Sequence, residues 1–106
     1  MDLDATLTNL GLVLFARRDF EGARRAFEAA LRETESPRAR RELGHDLGAV
    51  ALASGDFEAA QRWLEPEAER SDALPESLLL WATWLEARGQ PERAAQVRVR
   101  AASSRR

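Results

Sequence analysis

The chain lacks several residue types, and each absence excludes a class of function. None of its 106 residues is cysteine, lysine, isoleucine or tyrosine. Without cysteine there can be no disulfide, no thiol nucleophile and no cysteine-bound zinc. A single histidine, His45, leaves no multi-histidine metal site, so we expect neither a metal nor another cofactor. No apolar run approaches the ~20 residues of a membrane-spanning helix, and no basic segment followed by an apolar stretch comes after Met1. We therefore expect a cytoplasmic protein without a secretory signal.

The charge balance also narrows the class of protein. Sixteen basic residues, all arginine, stand against 18 acidic ones, for a formal net charge of −2. This balance excludes a generically basic protein that binds nucleic acid or a membrane surface. The bias toward arginine and alanine is typical of a GC-rich, bacterial coding sequence. Alanine, leucine, arginine and glutamate are also strong helix formers, and only four residues are proline. The composition predicts one all-α domain.

Three segments of the chain repeat one another. They are Leu7-x2-Leu10-Gly11-x2-Leu14 followed by Asp19-Phe20-Glu21-x-Ala23, Leu47-Gly48 followed by Asp56-Phe57-Glu58-x-Ala60, and Trp81-Ala82 followed by Gly89-Gln90-Pro91-Glu92-x-Ala94. The first two turn aspartates are 37 residues apart, and Gly55 and Gly89 are 34 apart. A fixed period of this length indicates a helical repeat array.

This pattern resembles the tetratricopeptide repeat (TPR), a 34-residue helix–turn–helix unit. The resemblance covers about residues 4–102, with a degenerate third copy. It implies an all-α, right-handed superhelical solenoid of three hairpins, with repeats at about 4–37, 41–74 and 75–106. Because the sixth helix has Arg98 where the family has a large apolar residue, we expect that helix either to cap the solenoid or to dock on something else.

The pattern predicts six helices and the residues that bound them. They span about 3–17, 20–34, 38–54, 57–65 or slightly beyond, 75–88 and 91–102. Pro66 is expected to end or kink the fourth helix because it has no amide donor. Glycines 55 and 89 suit helix C-caps, and aspartates 19 and 56 suit the N-caps that follow.

Packing roles follow from the same alignment. Gly11 and Gly48 are small where two helices must approach closely. Leucines 3, 7, 10 and 14 form one apolar stripe of the first helix. Trp81 and Trp84 are expected in the core.

Charged side chains are expected to be solvated or paired within helices. Glu65, Glu67 and Glu69 are interpreted as a solvated segment. Helical spacing predicts the pairs Glu21–Arg25, Glu28–Arg32 and Arg38–Glu42.

The resemblance implies that the first helices of the repeats line a concave face that binds a peptide or helix of another protein. The candidate binding residues are Asn9, Leu12, Phe15, Glu42, His45, Asp46, Ala49, Leu52, Glu76, Leu79, Leu80 and Thr83. This mixture of apolar and acidic groups suits an amphipathic helix or an apolar peptide with basic flanks. Leu12, Glu42, Glu76 and Leu80 stand where the family's carboxylate clamp has polar or basic groups, so we expect no such clamp.

No catalytic constellation is evident in the sequence. His45 and Asp46 are neighbours, and adjacent residues of a helix point ~100° apart. We therefore expect a non-enzymatic adaptor, scaffold or small chaperone. Two alternatives to this expected function stay open: a structural protein that dimerises through residues 91–102, and docking of an acidic partner or nucleic acid on the arginine-rich segment 17–41. Neither a membrane nor nucleic acid is the expected partner.

Overall fold

The chain folds into six α-helices, with no strand among the described residues, 2–104. We describe it from a computed structural model. The helices are α1 (Leu3–Ala16), α2 (Phe20–Glu33), α3 (Pro37–Ala53), α4 (Phe57–Ala68), α5 (Pro75–Ala87) and α6 (Pro91–Ser103). The predicted all-α class is confirmed, and every predicted helix end except that of α4 lies within one residue of the observed end.

Consecutive helices form three hairpins: α1 with α2, α3 with α4, and α5 with α6. Between hairpins, α2 packs on α3 and α4 packs on α5. The resulting stack measures 43 × 28 × 20 Å. The predicted repeat boundaries and the right-handed superhelical twist stay predictions, and Arg105 and Arg106 of the third predicted repeat lie outside the described residues.

Capping side chains fix where three of the helices begin. The Asp19 carboxylate accepts from the amide of Gly22 at 2.9 Å, and Asp56 accepts from Ala59 at 3.1 Å. Both predicted N-caps are thereby confirmed. Ser36 caps α3 in the same way. Each cap satisfies an amide that has no partner inside its own helix.

The turns inside the three hairpins share one backbone feature, a residue with positive φ. These residues are Arg18 (63°), Gly55 (81°) and Gly89 (80°). The two glycines take this conformation without cost, as the sequence predicts, because they have no Cβ atom. Arg18 takes it despite its side chain, because the repeat needs a left-handed residue at that point.

Two mid-helix glycines let the hairpins close. A Cβ atom on Gly11 would lie 2.5 Å from Cε1 of Phe27, and one on Gly48 would lie 2.5 Å from Cδ2 of Leu64. Phe27 and Leu64 are themselves buried. The predicted close approach at both glycines is confirmed, and it explains why a helix tolerates the roughly 1 kcal/mol cost of glycine there.

The hydrophobic core consists of two clusters that meet at α3. One joins α1, α2 and the buried side of α3, with Phe27, Leu43 and Leu47. The other joins α4, α5 and α6 to the end of α3 and includes Trp81 and Trp84. The core position predicted for both tryptophans is confirmed. The indole N–H of Trp84 donates to the carbonyl of Phe57 at 2.8 Å, so that α5 is bonded to the preceding hairpin.

Helix α4 does not end at Pro66, which was one of the two effects predicted for that residue, but continues to Ala68, slightly beyond residue 65 as the prediction allowed. The alternative of a kink at Pro66 stays a prediction. The contacts of the next residues explain the continuation to Ala68. Ala68 is buried, and the Glu67 carboxylate accepts a bidentate bond from Arg41 and a third bond from the amide of Leu74. These contacts hold the last turn although Pro66 removes one amide donor from it.

The interpretation of Glu67 as a solvated residue is wrong, because its side chain is only 10% exposed. Burial pulls the pKa of Glu67 upward, but the bonds from Arg41 and from the Leu74 amide outweigh that effect and lower it. Arg100 holds the same connection from the other side by donating to the carbonyls of Ala68 and Arg70. The connection from α4 to α5 is therefore anchored by α3 and by α6.

The leucine stripe of α1 is buried along one edge only. Leu7 and Leu14 are half-buried against α2, but Leu3 and Leu10 are 49% and 48% exposed. The four leucines of the apolar stripe therefore differ in burial. In the next hairpin the residue equivalent to Leu10 is Leu47, which is 2% exposed because α2 covers it. Within the described residues α1 has no preceding helix to cover it.

Candidate functional site

A cavity of about 420 Å³ opens between the first helices of the hairpins. Thr8 and Leu12 of α1 form one wall, α3 forms the floor, and Leu74 and Glu76 close the far end. The α3 residues are Ala39, Glu42, Leu43, His45 and Asp46. We call this cavity the acidic groove, because three of its residues are carboxylic acids.

The structure brings five of the twelve predicted binding residues together in the acidic groove. They are Leu12, Glu42, His45, Asp46 and Glu76. Leu12 is 49% exposed, so the groove offers an apolar side chain beside its acidic ones. These five residues come from α1, α3 and α5, and their proximity depends on the stacking of all three hairpins.

The other predicted residues lie elsewhere. Asn9 lines a smaller adjoining cavity near the start of α1. Phe15 packs on Phe20 of its own hairpin, with ring centroids 5.7 Å apart. Leu52 and Leu80 are half-buried against the second core cluster. Half-buried Ala49 lies on α3, and exposed Leu79 and Thr83 lie on α5.

Asp46 carries the most unusual electrostatics of the groove. Burial, together with the negative charge of Glu42, raises the pKa of Asp46 from 3.8 to about 6. Within residues 2–104, no hydrogen bond or ion pair reaches its carboxylate. Glu42, by contrast, lies 3.4 Å from the guanidinium of Arg38, as helical spacing predicted. Asp46 is thus a half-buried acid with no cationic partner in the described part of the chain.

His45 has a structural contact as well as a place in the groove. Its Nδ1 lies 3.2 Å from the hydroxyl of Ser77, which joins α3 to α5. Burial lowers the pKa of His45, and the nearby Glu76 and Glu67 oppose that shift only in part. The imidazole is therefore neutral at pH 7. Because Ser77 is completely buried, no substrate can reach its hydroxyl, and the pair has no access for nucleophilic chemistry.

Four groove residues were missing from the predicted binding residues: Thr8, Ala39, Leu43 and Leu74. Leu43 belongs to the first core cluster and forms part of the α3 floor of the groove. Leu74 lies in the connection before α5, where no helical periodicity applies. A signal for Leu74 does exist in retrospect, since a residue before proline is extended and brings the chain back over the groove.

A second cavity, of about 550 Å³, lies on the opposite side between α2 and α4. Its charges largely neutralise one another. Arg24 pairs with both Glu21 and Glu28, so the predicted pairs of these acids with Arg25 and Arg32 are wrong. Spacing of three and four residues is equally compatible with a helical pair, and one central arginine can serve both acids. This cavity lacks the uncompensated charge of the acidic groove.

Neither a metal-binding cluster nor a membrane-spanning helix occurs among the described residues. Between positions 2 and 104, no group of three or more histidine, aspartate or glutamate side chains could hold a metal ion. No helix in that range is both long enough and apolar enough to cross a membrane.

A stack of helical hairpins with a groove between its first helices defines a class of protein, the helical-repeat proteins. The family model described as "Tetratricopeptide repeat" matches residues 5–36, which are the first hairpin. The predicted resemblance is thereby confirmed, and the six helices are consistent with repeats of this family. Such repeats are typically non-catalytic modules for protein–protein interaction. Comparisons with curated proteins and with solved structures found no match.

Proposed function

We propose that this chain is a non-enzymatic adaptor that binds a basic, amphipathic segment of another protein in its acidic groove. The observation that supports the proposal best is the unpaired carboxylate of Asp46 beside exposed Leu12. A half-buried acid without a cation costs folding free energy. Such a cost is typical of a binding site, where the partner supplies the missing charge. A cytoplasmic location of the adaptor stays a prediction.

The groove chemistry specifies the partner. Leu12 and Leu74 offer apolar contacts, while Asp46 and Glu76 offer carboxylates. A helix or peptide with one or two leucine-sized side chains next to an arginine or lysine would satisfy both. Such a segment places apolar residues at helical spacing, and its basic residues form charge-assisted hydrogen bonds with the acids.

The direct test measures binding of synthetic peptides by fluorescence anisotropy. One set contains amphipathic helices with basic flanks, and a second set has the same apolar residues with acidic flanks. We expect the basic set to bind and the acidic set not to bind. If both sets bind with equal affinity, the groove recognises only the apolar residues of the peptide, and the proposed preference for basic flanks is wrong.

A pair of variants of α1 provides a matched control. Leu12→Asn changes the groove, whereas Leu10→Asn changes a leucine of equal exposure that does not line it. Both leave the net charge unchanged. We expect Leu12→Asn to weaken peptide binding about tenfold or more, from the loss of apolar burial, and Leu10→Asn to leave it unchanged. Equal effects of the two variants would contradict a site in the groove.

The pH dependence of binding tests Asp46 directly. With a pKa of about 6, its carboxylate is mostly charged at pH 7 and mostly protonated at pH 5. A cationic partner selects the charged form, so the apparent Kd should rise about tenfold between pH 7 and pH 5. Protonation of the His45 imidazole, whose pKa is lowered by burial, would also add positive charge to the groove and act in the same direction. Asp46→Asn should weaken binding at pH 7 and flatten the profile, and a profile as steep as that of the wild type would show that another group titrates.

A further inference from the structure

The outer face of α1 is apolar and uncovered. Leu3, Leu10 and Val13 lie at spacings of seven and three residues on one side of the helix, and each is 48–49% exposed. This face lies away from the acidic groove, which is lined by Leu12 on another side of α1. We call it the leading face of the stack.

The same repeat positions are buried in the two later hairpins. The residues equivalent to Leu10 and Val13 are Leu47 and Val50 in α3, which are 2% and 3% exposed. In α5 they are Trp81 and Trp84, at 4% and 7%. In each later hairpin the second helix of the preceding hairpin packs on this side, α2 on α3 and α4 on α5. The contacts within the molecule thus indicate that the second helix of a hairpin fits the leading face.

The second helix of the last hairpin offers the complementary surface. On α6, exposed Ala95, Val99 and Ala102 form a shallow apolar strip. Ala102 is equivalent to Leu31 and Ala68, which both pack into the core clusters on the side of the following hairpin. Within residues 2–104 no helix follows α6 to cover this strip. We call it the trailing face.

The charges at the ends of the two faces are complementary. Helix α1 begins with Asp2 and Asp4 and is followed by Arg17 and Arg18. Helix α6 has the same order, with acidic Glu92 in its first turn and Arg98 and Arg100 toward its end. Successive helices of a hairpin stack run antiparallel, so the acidic start of α1 would meet the arginines at the end of α6. At the other end of the contact Arg17 and Arg18 would meet Glu92, and its neighbour Arg93 offsets part of that attraction. The carboxylate of Asp4 raises the pKa of Asp2, and a neighbouring arginine would relieve this unfavourable pairing of acids.

We propose that the chain assembles head to tail, with the leading face of one copy on the trailing face of the next. Such a contact uses two different surfaces of the molecule. It therefore continues as an open filament or closes as a ring, and does not stop at a two-fold dimer. The proposal is independent of the adaptor function, because no residue of the leading or trailing face lines the acidic groove.

The first experiment measures molar mass by size-exclusion chromatography with light scattering, over micromolar to millimolar wild-type protein. We expect the mass to rise with concentration beyond that of a dimer. A monomer at every concentration would overturn the proposal. A mass that stops at two copies at all concentrations would also overturn it.

Two variants each block one face. Leu10→Glu blocks the leading face, and Val99→Glu blocks the trailing face, where Val99 is 67% exposed and its replacement is tolerated by the fold. Each variant alone should stay monomeric at concentrations at which the wild type assembles. Its own assembly should need a concentration at least about tenfold higher. An equimolar mixture should form a one-to-one dimer, because the mixture retains one intact face of each kind. Assembly of the Val99→Glu variant as strongly as the wild type would show that α1 pairs with another α1 and would overturn the head-to-tail contact.

Controls separate misfolding from loss of contact. Far-ultraviolet circular dichroism of both variants should match that of the wild type. Leu12→Glu places the same charge on α1 at equal exposure but outside the leading face, and it should assemble as the wild type does. If Leu12→Glu also abolished assembly, the contact would involve the groove, and the proposal would fail. Peptide binding by the Leu10→Glu variant keeps this result distinct from the adaptor function.

Discussion

Helices α1 and α3 carry the same repeat pattern but lie in different surroundings. Leu10 of α1 is 48% exposed, and its equivalent Leu47 of α3 is 2% exposed. The difference arises because α3 is covered by α2, whereas α1 packs mainly against its own hairpin partner. The repeat pattern therefore specifies what a position is able to contact, and the place of the hairpin in the stack determines whether that contact is made.

The largest expected difference is between truncations at these two positions. Leu47→Ala should lower the free energy of unfolding by about 2–4 kcal/mol, because it removes buried methyl groups and leaves a cavity. Leu10→Ala should cost about 1 kcal/mol or less. Urea unfolding at a concentration at which light scattering gives the monomer mass measures both. A similar loss for the two variants would mean that α1 is covered in the single molecule.

The two packing glycines provide the next comparison. Each has room for no Cβ atom, because a buried side chain of the second helix lies 2.5 Å from the place it would occupy. Gly48→Ala should cost about 1–3 kcal/mol through overpacking against Leu64. Gly11→Ala should cost less, because α1 is free on its outer side and can move away from Phe27. Thermal unfolding of the two variants tests whether α1 has this freedom.

Gly44 is the control for that comparison, since it lies in the same helix as Gly48. Its added Cβ atom would lie 3.6 Å from Trp63, which is an ordinary contact. Gly44→Ala should therefore stabilise the protein by about 0.5–1 kcal/mol through helix propensity. Destabilisation by this variant would show that α3 and α4 pack more closely than the structure indicates.

A smaller effect is expected at the ion pair between hairpins. Glu67→Gln should lower stability by about 1 kcal/mol at pH 7, since solvent screens part of the bond to Arg41. The folded pKa of Glu67 lies below its unfolded value, so its contribution is present above pH ~4.5 and is lost as the pH falls through the folded pKa. Chemical unfolding at pH 7 and pH 3 should show a difference between variant and wild type at pH 7 that shrinks at pH 3. Glu28→Gln, in a pair within one helix, should have a smaller effect, and an equal effect would show that the anchor between hairpins has no special contribution.

The smallest effect is expected at the turn of the first hairpin. Arg18→Gly relieves the backbone strain of a non-glycine residue with positive φ. It also removes the contact of the Arg18 guanidinium with Phe20, whose ring centroid lies 5.2 Å away. The two changes oppose one another, so the net change should stay below about 0.5 kcal/mol. Gly55→Ala meets no neighbouring atom and should cost about 1 kcal/mol through backbone strain alone. Equal stability of Gly55→Ala and wild type would show that the second turn can change its backbone conformation.

Features encoded by local spacing were predictable from the sequence. The N-cap aspartates 19 and 56, the turn glycines 55 and 89 and the close approach at glycines 11 and 48 all follow from contacts within one hairpin. How far α4 continues beyond Pro66 was not predictable, because its last turn is held by Arg41, which lies 26 residues before Glu67. The exposure of Leu10 was not predictable either, since the same motif is buried in the next hairpin.

The candidate site was predictable in part for the same reason. The repeat alignment placed Glu42, His45 and Asp46 on one side of α3, and all three line the acidic groove. Leu74 could not be placed because it belongs to an irregular connection. Leu52 and Leu80 followed the alignment but pack against the second core cluster. Whether an apolar residue of a first helix faces a groove or a neighbouring helix depends on distances that no repeat pattern contains.

The stacked tryptophans of the third hairpin have a spectroscopic consequence. The rings of Trp81 and Trp84 lie 4.6 Å apart at an angle of 15°, close enough for their ultraviolet transitions to couple. Exciton coupling of this kind gives a signal in circular dichroism that disappears when the rings separate. Trp63 lies apart from this pair in the other cluster and reports through its fluorescence. The chain thus contains two optical probes in different hairpins. They can show whether the two core clusters unfold together or one after the other.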